Sequence, residues 1–265
     1  MSCNTKIAWS NTATYVSSDF TTNPTYAVTE YKKQITEQTS GYGHYEVSFD
    51  GNCIFIGNTD ATTARVVISN GSGSTTTISA DTTISADTYY GNSVAVDDSY
   101  SLAISDGYSI FMLDGDLVYD SGDVSITDQK LFTFSDQTGA TALITFPTVS
   151  YLGMVFGGTL TEYGEAEYPL KDDQQDFGFQ KRTINGTNLY TPNYISNDMS
   201  FNMFCTFDEY QALRTAQRAN RNNILCYISD NVTEEYYVKY GFLDLVQGTE
   251  SRGRYYDVPI KIQGE

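Results

Sequence analysis

Residues 197–229, NDMSFNMFCTFDEYQALRTAQRANRNNILCYIS, pass from a strand pattern to a helix pattern and back again. Met199, Phe201, Met203 and Cys205 alternate with Ser200, Asn202, Phe204 and Thr206. Phe204 apart, this is the period of two expected of a strand with one buried face. Thr206 and Glu209 then stand at capping-box spacing, in which the hydroxyl accepts from the Glu209 backbone N–H and the carboxylate reaches back to the Thr206 N–H. The spacing predicts a helix from Phe207 to about residue 221. Tyr210, Leu213 and Ala216 recur at steps of three and form the flank turned toward the sheet. Arg214, Arg218 and Arg221 form another flank, late in the helix, where cations suit the negative end of the dipole. Asn222 and Asn223 offer a stop, because Asn tolerates the left-handed conformation used at helix C-termini. Ile224–Ile228 reads as the next strand.

The three arginines have two readings. One is a solvated face, the usual fate of surface charge. The other is a protein-binding face, since guanidinium groups pair well with carboxylates on a partner. The sequence does not separate them.

The chain has 265 residues, with 15 basic and 33 acidic side chains and a net charge of −18. That excess repels phosphates, so a nucleic-acid partner is not expected. Membrane insertion is not expected either: no apolar run approaches spanning length, and MSCNTKIAWS lacks the apolar centre of a secretory signal, which points to synthesis in a cytoplasm. Cys3, Cys53, Cys205 and Cys226 are scattered, a pattern that suggests neither a zinc site nor a disulfide scaffold. No metal and no cofactor is expected. His44, the one histidine, sits in GYGHYE with no nucleophile motif beside it, so no catalytic residues are assigned and the chain is not expected to be an enzyme. Its 22 tyrosines, with much Thr, Ser, Gly and Asp, fit β-rich recognition surfaces.

The fold class expected is mainly β, in two domains: a β-sandwich over residues 1–150, and over residues 151–265 a β-rich α+β domain with one helix. Residues 1–40 read as two or three strands or an extended arm. YEVSFDGNCIFIG, from Tyr45, reads as a hairpin turning at Asp50-Gly51. Arg65–Ser69 is a short strand. The echo TTISAD at residues 76–81 and 82–87 is too brief for a solenoid and reads as two short strands or a loop. Asp-Gly pairs at 106–107 and 114–115 suggest a three-stranded meander. Residues 130–160 read as apolar strands with Gly-rich breaks, and Glu162–Asp176 as an exposed acidic loop. Asp114, Asp116, Asp120 and Asp123 carry oxygen ligands of the kind Ca²⁺ takes, but not at EF-hand spacing, and they also read as turn and strand residues facing water. Tyr89, Tyr90 and Tyr100 are candidates to stack on sugars, or are ordinary strand aromatics.

Ser109–Tyr119, SIFMLDGDLVY, resembles a hairpin of the lectin-like β-sandwiches of the concanavalin or laminin-G type. Residues 178–265 resemble the C-terminal domain of distal-tail, baseplate and other minor tail proteins of bacteriophages. The residues that carry this resemblance are Gln180–Gly186, the strand-to-helix passage Phe201–Arg214, Tyr240–Leu243 and the closing strand with Val258-Pro259-Ile260-Lys261-Ile262. The resemblance implies a structural component of a tail tip or baseplate, a homo-oligomer contacting other tail proteins and located in the virion tail. The alternative is a carbohydrate-binding adhesin that contacts host surface glycans through its N-terminal half.

Overall fold

The computed structural model describes residues 3–29, 34–70, 76–78, 83–84, 89–90, 100–101, 110–112, 117–176, 179–182, 188–191, 195–221, 223–230, 236–244, 246–251 and 253–264. In chain order the strands are β1 (Cys3–Ala8), β2 (Thr14–Ser18), β3 (Thr36–Thr59), β4 (Thr63–Ser69), β5 (Thr76–Ile78), β6 (Thr83–Ile84), β7 (Tyr89–Tyr90), β8 (Tyr100–Ser101), β9 (Ile110–Met112) and β10 (Leu117–Asp120). They continue as β11 (Val124–Ser125), β12 (Asp128–Gly158), β13 (Thr161–Asp176), β14 (Phe179–Arg182), β15 (Asn188–Thr191) and β16 (Ile195–Thr206). The helix α1 (Phe207–Ala219) follows, then β17 (Asn223–Asp230), β18 (Tyr236–Leu243), β19 (Thr249–Glu250) and β20 (Tyr255–Gly264). The protein is mainly β with a single α-helix among the described residues, the fold class the sequence suggests.

The chain forms two compact units, one made of Asn11–Thr159 and the other of Met1–Ser10 with Leu160–Glu265. In the second unit six antiparallel strands close into a barrel in the order β16-β13-β1-β17-β18-β20, with β20 returning to β16 and β19 flanking β20. Closure leaves the six strands no unpaired edge. The interior follows from alternation: Val258, Ile260 and Ile262 point in while Pro259, Lys261 and Gln263 point out. Met199, Phe201, Met203 and Cys205 of β16 meet them, with Cys3 and Ile7 of β1 and Ile224, Cys226 and Ile228 of β17. Each of the Val, Ile, Met and Phe side chains among them, fully buried, contributes about 1.5–3 kcal/mol of transfer free energy.

Helix α1 adds Tyr210, Leu213 and Ala216 to that same core, on the flank the sequence assigns to the sheet. The Tyr210 ring stacks on Tyr256 at 4.7 Å, and its hydroxyl accepts the Gly248 N–H at 2.9 Å. Gln217 sews the helix to the chain just after β18, donating to the Asp244 carbonyl at 2.6 Å and accepting from the Val246 N–H at 3.2 Å.

In the unit Asn11–Thr159 a six-stranded antiparallel sheet runs β10-β4-β12-β3-β2, with β11 also on β4. The two longest strands bend through it. Cys53–Thr59 of β3 lies between two parts of β12, pairing with residues 128–133 and again with residues 152–158. The first part of β3 pairs with the middle of β12, whose other edge carries β4. Such strands, bent and bulged between two orientations, let one sheet enclose its own core. Tyr45, Val47 and Phe49 point into that core with Ile54 and Ile56, Ala64, Val66 and Ile68, and Ala142, Ile144 and Phe146.

Several expectations fail for reasons of pairing. Asp50-Gly51 is not a hairpin turn. Phe49 pairs with Ala140 and Cys53 with Thr133, so β3 continues past Gly51 along a partner that bulges at the same place. The Gly-rich breaks of residues 130–160 fall within one strand. Glu162–Asp176 is strand β13, not an exposed loop: Tyr163 and Ala166 face the barrel core while Glu165 and Glu167 face solvent. Of the expected hairpin Ser109–Tyr119, the turn residues lie outside the described residues, while β9 joins β5 and β7 and β10 joins β4. The domain boundary placed near residue 150 lies inside β12, and β1 belongs with the C-terminal strands because β13 and β17 occupy both its edges. The helix ends at Ala219 rather than residue 221. Asn220 caps it in an extended conformation, φ −122°, with its own N–H and its side-chain amide both donating to the Ala216 carbonyl.

Candidate protein interface on the helix

The strand-to-helix junction has no loop. Thr206 is the last residue of β16, paired with Tyr255, and at the same time the N-cap of α1. The capping box therefore fixes the helix axis to the barrel wall, and with it the direction in which the arginines project. Arg214 and Arg218 stand one turn apart, at the spacing that brings side chains together on a helix. Arg214 is half-buried, with its guanidinium carbon 5.4 Å from the Tyr210 ring centroid, a cation–π contact that holds it in place. Arg218 is exposed. Arg221 is exposed as well but lies beyond the end of the helix, so the structure brings two of the three arginines onto one flank and leaves the third in the connection to β17.

None of the three pairs with a carboxylate among the described residues. The ion pairs found there are His44–Asp19, Arg65–Asp120 and Lys261–Asp198. From Tyr210 to Ser229 the sequence contains three arginines and no acid, within a chain whose net charge is −18. The outward helix residues around the arginines, Gln211, Ala212, Thr215 and Ala219, are small or uncharged. A cationic strip of this kind attracts carboxylates without the side-chain crowding that long acidic neighbours would bring.

Exposed aromatic groups lie near the same junction. Phe204 stacks on Tyr255 at 5.0 Å, with the ring planes 11° apart, and Tyr255 and Phe207 are each exposed. On β18, Tyr237 and Phe242 are also exposed. Large exposed aromatic side chains are typical of surfaces that meet other proteins.

Tyr89 and Tyr90 belong by backbone pairing to β7, opposite Met112 and Phe111, while Tyr100 belongs to β8, opposite Ile84 in a different sheet. The side chains of these candidates lie outside the described residues. Asp114 and Asp116 do too. Asp120 is engaged elsewhere: Arg65 donates to its carboxylate through Nε at 2.9 Å and Nη2 at 2.5 Å, and the Gly122 N–H adds a third bond at 2.9 Å. The Arg65 hydrogen bonds hold the Asp120 carboxyl below the usual carboxylate range.

One polar cluster is not visible in the sequence. The His44 ring, which is buried, has Nδ1 2.7 Å from Asp19 Oδ2 and Nε2 3.4 Å from Ser17 Oγ. Ser17 donates its one hydroxyl proton to Glu46 Oε2 at 2.6 Å. The donor sense matters here. A serine nucleophile must give its proton to the imidazole. In this cluster the Ser17 hydroxyl is directed at Glu46 Oε2 instead. The group ties β2 and the residue after it to β3. His44 and Glu46 are two apart on one strand, a spacing legible in sequence; Ser17 and Asp19 come from β2 and the residues just after it, which local patterns do not place.

The thiols Cys53 and Cys226 are buried, and that burial pushes both up to about 12, so they act as small apolar groups. Comparison with protein-family models, with curated proteins and with solved structures gives no match for this chain.

Proposed function

We propose that this protein is a structural component of a bacteriophage tail tip or baseplate, acting through protein–protein contacts and performing no chemistry. The observation that carries the reading is the acid-free arginine strip of α1, with cations unpaired among the described residues and held on the wall of a closed barrel inside a strongly acidic chain. Unpaired guanidinium groups on a rigid element are suited to a carboxylate-bearing partner. The exposed Phe207, Tyr237, Phe242 and Tyr255 of the same unit add apolar area, and large contacts between copies or companions are how such modules build assemblies. The sequence resemblance over residues 178–265 supplies the setting, in which the chain resides in the virion tail and contacts other tail proteins.

Mass spectrometry of purified phage particles from a host carrying the gene tests this. The reading expects the chain among the tail components at a fixed copy number. Its absence from assembled particles overturns the proposal.

A further inference from the structure

The barrel carries an acidic surface that matches the arginine strip. Strand β13 would expose alternate residues, but its pairing with β1 slips between Thr5 and Lys6, where Thr5 opposes Gly164 and Lys6 opposes Glu162. The extra residue, Tyr163, turns into the core. Such a bulge lets Glu162, Glu165 and Glu167 share the outward face although they are not evenly spaced. All three are exposed. Lys6 stands opposite Glu162, whereas Glu165 faces Asn4 and Phe204, and Glu167 faces Asn202. Glu165 and Glu167 are therefore two outward carboxylates on a rigid strand with no cation paired to them among the described residues.

The spacings agree. Residues two apart on a strand repeat at about 6.6 Å. Residues four apart on a helix face stand about 6 Å apart at Cβ. We propose that copies of this chain associate head to tail, with Arg214 and Arg218 of one copy seated on Glu165 and Glu167 of the next. This rests on the assembly reading above and names its partner as a second copy. In a head-to-tail contact each copy keeps one patch for the next, so repetition yields a closed ring or a filament. Because the pairs are charged and lie at the surface, the association weakens with salt. It also explains why a chain of net charge −18, whose copies otherwise repel, keeps an acid-free cationic strip.

The test is a charge swap in the full chain, read by light scattering after size exclusion at low and high salt. The wild type is expected to form an oligomer that dissociates in high salt. R214E/R218E and E165R/E167R are each expected to raise the concentration for half-assembly roughly tenfold or more. Mixed together they restore assembly, since each reversed helix then finds a reversed strand and each native helix a native one. Circular dichroism on both variants, and R218E alone, which leaves the Arg214–Tyr210 contact in place, separate lost contacts from lost fold. A monomeric wild type, an oligomer indifferent to both swaps, or folded variants that fail to reassemble on mixing would each overturn the contact. Presence of the chain in particles alongside any of these results keeps the tail reading and removes only this interface.

Discussion

Thr206 and Glu209 satisfy each other's backbone where β16 becomes α1: Thr206 Oγ1 accepts from the Glu209 N–H at 3.3 Å, and Glu209 Oε2 accepts from the Thr206 N–H at 2.7 Å. Because Thr206 also holds the last ladder position opposite Tyr255, this pair joins barrel and helix without a linker. Replacing the hydroxyl leaves helix N–H groups unmet in a half-buried place. Thr206→Ala is expected to lower stability by about 1 kcal/mol, and Thr206→Ser by a few tenths, since Ser caps as well as Thr. Urea unfolding followed by tryptophan fluorescence measures both, and an Ala variant as stable as the wild type removes the cap's assigned role.

Gly51 is placed where no side chain fits. Its φ is +138°, and a Cβ there would collide with the Gly158 carbonyl on the crossing part of β12. Gly51→Ala thus has to strain the backbone and displace a strand together, at a cost of about 1–3 kcal/mol for the backbone alone. Loss of soluble protein or a clearly lower unfolding midpoint is expected. By contrast Gly139→Ala, at φ +63° in open space, has only the backbone term to meet and serves as the comparison.

Asp120 and Arg65 set part of the acid limit of the Asn11–Thr159 unit. Arg65 donates to the carboxylate twice, which lowers the Asp120 pKa from its ordinary value of about 3.8. A depressed carboxyl binds fewer protons folded than unfolded, so its contribution is present above about pH 4 and is lost as the pH falls through the folded value. The pair is partly solvated, with side-chain exposures of 18% and 25%, which keeps the effect below about 1 kcal/mol. Asp120→Asn is expected to lower stability at pH 7 and to flatten its decline between pH 4 and pH 2. Thermal unfolding across that range reads it, and parallel curves for the two proteins contradict it.

The parts of this fold that follow from local pattern were legible in the sequence, while those that depend on distant pairing were not. Thr206, Glu209, Tyr210 and Leu213 interact within one or two turns, so spacing alone places the strand, the cap and the buried flank. The Asp50-Gly51 pair looks like a turn because a turn and a bulged corner demand the same positive φ from glycine. Only the partner strand, some 85 residues later, decides between them, as Gln137 stands opposite Gly51. Glu162–Asp176 hides its strand character for a similar reason. The bulge at Tyr163 breaks the alternation, and Glu162, Glu165 and Glu167, which suggest a loop, are outward residues of a barrel wall. In the candidate site, the arginines were legible as residues but not as an unpaired set. Their helix ends before Arg221, and the absence of a carboxylate paired to them among the described residues is a property of the folded surface. The Ser17–His44–Asp19 cluster depends wholly on β2 lying beside β3.

Trp9 offers a direct report on the barrel. It is the chain's one tryptophan, buried at 9% exposure, and its indole N–H donates to the Tyr163 hydroxyl at 2.8 Å, with the two rings edge to face at 6.0 Å. The bond spans the junction between β1 and the rest of its unit, since Trp9 follows β1 and Tyr163 lies at the bulge of β13. Tyr163→Phe keeps the ring and its edge-to-face packing but leaves a buried donor unmet, at a cost of about 1–3 kcal/mol. The expected outcome is a lower unfolding midpoint with a small shift in native tryptophan emission, because the indole loses its polar partner while staying enclosed. Tyr163→Ala would also open a cavity, adding to a total of roughly 3–5 kcal/mol by comparison with other large-to-small aromatic changes in cores. A Phe variant with unchanged midpoint and emission would show that the hydrogen bond contributes nothing and that the ring contact alone holds β1 in the barrel.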